Sequence, residues 1–375
     1  MNTKGITLFS LFGFKVKIDL SWLILGLLIT WSLAKGVFPY YYPGLPTAYY
    51  WYMGAAGAVG LFFSIVLHEL SHSLVARKYG LQIRGITLFI FGGVAEMSEE
   101  PKSPRVELAM AAAGPASSIL IGAALYGAYY ACRINQVPTP VTGLLGYLAL
   151  MNFILAGFNL IPAFPLDGGR IFRSILWKWK KDLRWATNIA SKLGSIAGIG
   201  LILYGIVNVV MGNFIGGMWY FLIGMFLRSA AHGSYQQVVI RNTLEGFPVR
   251  RFMNQEPVTV TADTSIEELV ENFIYRHHYK MYPVIDHEKL LGCITIKDIK
   301  HVPKEKRSIS NVRSFMSACG PDNTVGPDDD VMDALALMNR NRASRLMVVQ
   351  DGKLTGMISL KDIMNFLAVK MDLAS

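Results

Sequence analysis

The 375-residue sequence predicts a polytopic α-helical membrane protein of about six transmembrane helices, with a short β element between two of them, followed by a soluble α/β tandem repeat. Three observations carry this prediction. Hydrophobic residues make up 52% of the chain and charged residues 17%, which is more apolar and less charged than soluble chains of this size. The surplus charge is confined, since residues 1–240 hold 18 Lys/Arg against 8 Asp/Glu and residues 241–375 hold 18 of each, so the whole net charge of +10 belongs to the apolar part. The polar tail repeats itself, with Phe252 and Phe315 opening similar segments 63 residues apart.

Six apolar segments, at about 18–36, 54–76, 106–131, 142–161, 193–211 and 214–231, approach the ~20 residues that carry a helix across hydrocarbon. The loops near 37–53, 132–141 and 211–214 carry only Arg133, with Lys35 at one edge. The opposite set carries Arg77, Lys78, Arg84, Lys102 and Arg105, then Arg170, Arg173, Lys178, Lys180, Lys181, Arg184 and Lys192. This bias predicts a multi-pass protein of the cell (plasma) membrane with those loops and both termini in the cytoplasm. The stretch "VFPYYYPGLPTAYYWY" reads as an aromatic belt at the outer interface. Lys4, Lys15 and Lys17 precede the first apolar stretch with no small-residue cleavage site after it, so that stretch is expected to stay as an anchor.

Positive charge lying between apolar spans orients loops and forms no basic stripe, which excludes nucleic acid as a partner. Cys132, Cys293 and Cys319 are too few and too far apart for a disulfide framework or a cysteine metal cluster.

The domain boundaries follow composition: a membrane domain over 1–235, a linker over 236–249, a first repeat over 250–308 and a second over 309–375. Each copy alternates in β fashion, passes through an amphipathic helix, then gives two short strands and another helix. Asp298 and Asp362 lie 64 residues apart, so the copies align with one inserted residue.

Chemistry concentrates in the second span, at "IVLHELSH". Residues four apart share a helix face, so His68 and His72 can direct both imidazoles at one metal ion with Glu69 beside them. Ionisable groups in a span are costly, and a bound cation supplies the partner that hydrocarbon lacks. A catalytic zinc needs a third protein ligand and one open position. The best donor lies in "NLIPAFPLDGG", residues 159–169, where Pro162 and Pro165 break the helical pattern just before Asp167. Read alone, Asp167 fits a metal ligand and an N-capping aspartate equally well.

Together, "HELSH" and "NLIPAFPLDGG" resemble the site-2 protease family of intramembrane zinc metalloproteases, over roughly residues 15–230. The resemblance implies one Zn2+ per chain held by His68, His72 and Asp167, with Glu69 as general base and Asn159 near the metal at the substrate carbonyl. The implied activity is hydrolysis of peptide bonds within or near transmembrane segments of membrane proteins, the reaction of regulated intramembrane proteolysis. "ITLFIFGGVAEM", residues 86–97, is similar to the re-entrant β element of that family, which implies that Gly92, Gly93 and Val94 receive an unwound substrate as an added strand. In "AGPASS", Gly114, Pro115 and Ala116 open the third span and could permit close helix approach to the site, but read mainly as helix-packing residues.

In the tail, "GCITIKD" and "GMISLKD" together with the repeat resemble a tandem pair of cystathionine-β-synthase (CBS) domains, over roughly residues 250–370. That resemblance implies an adenine nucleotide (ATP, ADP or AMP) as regulator, contacted by Thr295, Asp298, Ser359 and Asp362, and a homodimer through the pair. Helix N-termini favour phosphate, which agrees with those positions. Such tails also attach to transport proteins, so a nucleotide-gated channel or transporter with a structural metal is the competing class. A structural site needs a fourth protein ligand, and none stands near either motif.

Overall fold

The computed structural model describes residues 6–81, 83–89, 92–97, 101, 103–286, 289–300, 302–341 and 343–373. They fall into two units, Met1–Val238 and Val239–Ser375.

The first unit opens with strands β1 (Ile6–Leu11) and β2 (Phe14–Ile18), turning through Phe12 and Gly13 at positive φ. In β2, Phe14, Val16 and Ile18 are buried, with Lys15 and Lys17 on the other face. This hairpin was not among the elements read from the sequence. Asp19 then caps helix α1 (Leu20–Ser32), accepting the Ser21 N–H at 2.9 Å. A π-wound turn, Leu33–Val37, leads into α2 (Phe38–Tyr41), and Leu20–Tyr41 forms the first candidate span.

The others are α3 (Thr47–Lys78), α4 (Pro104–Ile134), α5 (Thr139–Asn159), α7 (Leu183–Val210) and α8 (Phe214–Leu244). Among the described residues these six are long and apolar enough to cross a membrane, so the protein is multi-pass. The aromatic stretch is less of a loop than its composition suggested, since α2 and the first turns of α3 run through it. Residues 236–244, expected to be linker, continue α8. Helix α6 (Asp167–Lys180), between α5 and α7, is too short to cross.

Strands β3 (Ile83–Phe89) and β4 (Gly92–Met97) complete a four-stranded sheet in the order β1-β2-β3-β4, with β2 and β3 parallel and the outer pairs antiparallel. Residues 90 and 91 of "ITLFIFGG" lie outside the described residues. Thr87, Leu88 and Phe89 pair with Val94, Gly93 and Gly92. The apolar face, including Val16, Ile18, Ile86 and Leu88, packs on Phe62, Val66 and Leu70 of α3. That packing lays β4 alongside the "HELSH" turns. Among the described residues β4 pairs only with β3. Elsewhere on α3, one turn before His68, Ser64 Oγ accepts from Asn152 Nδ2 of α5 at 2.9 Å, a fully buried tie between two spans.

The second unit holds two small sheets, one per copy, except that the strand Ser317–Ala318 of the first sheet comes from the segment read as the start of the second repeat. The first has order β5-β6-β7-β8, from β5 (Val260–Thr261), β6 (Met281–Asp286), β7 (Lys289–Thr295) and β8 (Ser317–Ala318). The second has order β11-β10-β9, from β9 (Thr324–Val325), β10 (Arg345–Gln350) and β11 (Lys353–Ser359). Both contain a parallel pair and an antiparallel hairpin, and the hairpins carry matching register shifts at Val284/Ile285 and Val348/Val349. Helices α9 (Ile266–Glu268), α10 (Tyr275–His277) and α11 (Ile296–Ile299) belong to the first copy, α12 (Val331–Asn341) and α13 (Leu360–Asp372) to the second. Two apolar cores form, and each takes in the opening segment of the other copy: Val249 and Phe252 join Val331 and Ile358, Val312 joins Ile266 and Tyr282, and Met281, Leu290, Cys293 and Met347 link the copies.

Candidate metal centre

His68 and His72 occupy successive turns of α3, and their Nε2 atoms stand 3.2 Å apart. What turns them inward is a stripe of α4 with the same four-residue spacing. Met110 O accepts from His72 Nδ1 at 2.6 Å, and Ser118 Oγ lies 2.9 Å from His68 Nδ1. Gly114, midway between them, faces both imidazoles, and a Cβ there would lie 2.6 Å from His68 Nε2 and closer to His72 Nε2. The sequence reading preferred helix packing for "AGPASS" over close approach to the site, and missed Ser118. The available signal was the shared spacing of 110, 114 and 118 with 68 and 72.

Asp167 is the first residue of α6, and its Oδ2 lies 3.1 Å from each of His68 Nε2 and His72 Nε2. It caps nothing, because the N-cap position is Leu166 and carries no side-chain cap bond. Gly168 and Gly169 pass against the backbone of residues 160–164 rather than against the metal donors, so they serve the turn. One turn further on, Arg173 Nε donates to Glu107 Oε1 at 2.6 Å in a buried ion pair, with the guanidinium 4.9 Å from the Phe164 ring centroid. This pair fastens α6 to α4, and so holds Asp167 within reach of the histidines.

The donor set can be tested against a metal. A carbonyl cannot donate, so His72 Nδ1 carries the proton facing Met110 O, and in the neutral imidazole Nε2 is left with a lone pair. That lone pair faces a carboxylate oxygen at 3.1 Å, an arrangement a cation between them makes favourable. Tetrahedral zinc with bonds of about 2.0–2.1 Å sets its ligand atoms roughly 3.3 Å apart, close to the 3.1–3.2 Å sides of this triangle. Among the described residues the group contains His68, His72 and Asp167 and no fourth donor, as in a centre with an open position.

The triangle opens on a cavity of about 390 Å³ that Glu69, Gly93, Asn159 and Arg170 also line. Gly93 brings β4 against Glu69, and a Cβ there would lie 2.9 Å from Glu69 Oε1. Gly92 and Val94 flank it in the strand. Asn159 ends α5, and its Nδ2 donates to Leu155 O at 3.0 Å.

Residues 56–133 and 131–204 match peptidase family M50, and residues 249–305 and 312–369 match the CBS domain. A zinc metalloprotease of Methanocaldococcus jannaschii is 37% identical over 82% of this chain and 84% of its own length. Rip3 of Mycobacterium tuberculosis is 31% identical over 95% of this chain and 91% of its own. The chain belongs to peptidase family M50. Among solved structures, a site-2 protease from Methanocaldococcus jannaschii is 34% identical and aligns over 61% of this chain and 94% of its own, with a TM-score of 0.42. The M50 peptidase thus combines a multi-pass membrane unit with two CBS domains.

In those CBS domains, Thr295 N and Oγ1 donate to Asp298 Oδ2 at 2.8 and 2.7 Å. The second copy repeats the arrangement, with Ser359 N and Oγ donating to Asp362 Oδ2 at 3.2 and 2.5 Å. Each pair sits at a strand end where a helix begins, α11 or α13.

Proposed function

We propose that this M50 peptidase is an intramembrane zinc endopeptidase that cuts other membrane proteins within or near their transmembrane segments. In this reading His68, His72 and Asp167 hold one Zn2+ per chain, Glu69 is the general base, and Asn159 donates to the substrate carbonyl. The observation that carries it is the closed triangle of two imidazoles and one carboxylate, 3.1–3.2 Å on a side, opening on the cavity that Glu69 lines.

Zinc, when bound, lowers the pKa of a water toward ~7 and polarises a carbonyl. The chain's own residues do the rest. Glu69 takes the proton from the attacking water and returns it to the leaving amine. Ser118 and Met110 O hold the imidazoles in the orientation that directs Nε2 at the metal. A substrate helix hides its carbonyls in its own hydrogen bonds, so it must unwind locally before attack. The side of β4 away from β3, unpaired among the described residues, offers the released strand backbone partners at Gly92, Gly93 and Val94, with Gly93 against Glu69. Within this reading β3 and β4 dip into the bilayer as a re-entrant element.

The finer reading extends to the tail. An adenine nucleotide at Thr295/Asp298 or Ser359/Asp362 modulates cleavage, and the CBS pair joins two chains as a homodimer. The protein sits in the plasma membrane with both termini and its basic loops in the cytoplasm.

The test is cleavage of single-span substrates by the purified full chain in detergent, with its metal content measured. Glu69→Gln is expected to keep zinc while cleavage falls by at least about a hundredfold. Unchanged cleavage removes Glu69 from the chemistry, and a wild-type protein free of zinc overturns the metal assignment. Calorimetric titration with AMP, ADP and ATP checks the tail, where no heat from any of them leaves only an assembly role.

A further inference from the structure

Helix α6 carries two arginines one turn apart, and they are treated differently. Arg173 is 3% exposed, with its guanidinium paired to Glu107. Arg170 lines the catalytic cavity together with Glu69 and Asn159. Among the described residues its guanidinium has no carboxylate within ion-pair reach, although Glu69 and Asp167 line the same cavity. It stands three residues after Asp167, on the same helix face.

Much of the remaining wall is apolar, including Ile65, Phe89, Leu155 and Phe226. Arg170 is half-buried, its charge acts on Glu69 across the cavity without a direct ion pair, and arginine cannot shed its proton. The charges of the site leave room for one anion. With neutral imidazoles, the carboxylates of Glu69 and Asp167 balance a divalent metal, and Arg170 leaves one positive charge over. Peptide hydrolysis produces a carboxylate on the carbonyl side and, with the returned proton, an ammonium on the other fragment, and only the carboxylate side complements the leftover positive charge of Arg170.

We infer that Arg170 is a substrate-contacting residue that binds the carbonyl side of the scissile bond, and the carboxylate that side becomes after the cut. The guanidinium is a fixed fork of N–H donors that matches a carboxylate with two parallel bonds, whereas a carbonyl accepts more weakly. Arg170 therefore holds the N-terminal fragment more tightly after cleavage than before it, and it marks which half of the substrate lies along α6. This assignment rests on the protease reading of the site.

The experiment uses the full chain carrying Glu69→Gln, loaded with zinc in detergent. Fluorescence anisotropy compares a short Leu/Ala-rich peptide ending in a free carboxylate with the same peptide ending in an amide. The metal attracts the carboxylate in every variant, so Arg170 is read from the change in the acid-to-amide affinity ratio. Arg170→Gln is expected to lower that ratio about tenfold with zinc content unchanged, and Arg170→Lys to restore part of it. An unchanged ratio in Arg170→Gln overturns the assignment and leaves the protease reading standing. Zinc lost from both variants overturns it too, since Arg170 then supports the metal site rather than the substrate. Failure of the parent protein to bind either peptide, together with a wild type that cleaves nothing, sinks the protease reading itself.

Discussion

Replacing Gly114 with Ala adds one methyl group at the most crowded point of the site. Ordinary contacts of a Cβ begin near 3.4 Å, and this one would lie 2.6 Å from His68 Nε2 and closer still to His72 Nε2, so at least one imidazole must retreat by roughly 1 Å. Zinc bonds tolerate about 0.2 Å. The imidazoles cannot simply slide, because Met110 O and Ser118 Oγ hold their other nitrogens. The expected loss of zinc affinity is about 10–100-fold, equivalent to about 1.4–2.7 kcal/mol. Competition with a chelator, followed by metal analysis, measures it. Gly127→Ala is the matched control, since it lies on the same helix with nothing within 4 Å of the added Cβ. That variant should hold zinc like the parent and melt no lower. Wild-type zinc affinity in Gly114→Ala, with Gly127→Ala also unchanged, would refute the idea that the missing Cβ makes room for the metal donors.

Ser118→Ala removes the partner of His68 Nδ1 and should weaken zinc binding about tenfold, seen in the same chelator competition, while leaving the fold intact. Glu107→Gln strips the buried Arg173 of its counter-charge and should cost about 3–5 kcal/mol, read as a lower melting temperature in detergent; the double change to Met at 107 and 173 should recover much of it. In the tail, burial pushes the Cys293 thiol up to about 11 while Cys319 is exposed, so iodoacetamide at about pH 8 should alkylate Cys319 well before Cys293, as peptide mass spectrometry would show.

The histidine pair was legible because a helix imposes its period on any side chain, and residues 68 and 72 need nothing but α3 to meet. Asp167 lies 95 residues beyond His72, and nothing local fixes where it points; the prolines marked a break, but the choice between cap and ligand required α6 to be placed. Its placement depends on Arg173 and Glu107, a pair 66 residues apart with no sequence signature. Ser118 and Met110 O were hidden for another reason. A serine in an apolar helix looks like packing, and a backbone carbonyl carries no residue code at all. The β1–β2 hairpin was visible in the alternation of Phe14, Lys15, Val16, Lys17 and Ile18, yet the lysines were read as charges flanking a span. In the tail the repeat disclosed both copies, because each hairpin shifts register at the same place, but not that each copy's opening segment packs in the core of the other.

Helix α3, at 32 residues, extends for about 48 Å, well beyond a hydrocarbon layer of about 30 Å. It must lean or project, and the end bearing Arg77 and Lys78 seeks the headgroups. His72 and His68 stand only about 9 and 15 Å from Lys78 along the axis. With the Lys78 end held at the headgroups, the two imidazoles stand between that interface and the middle of the layer, His72 nearer the surface and His68 close to the midplane.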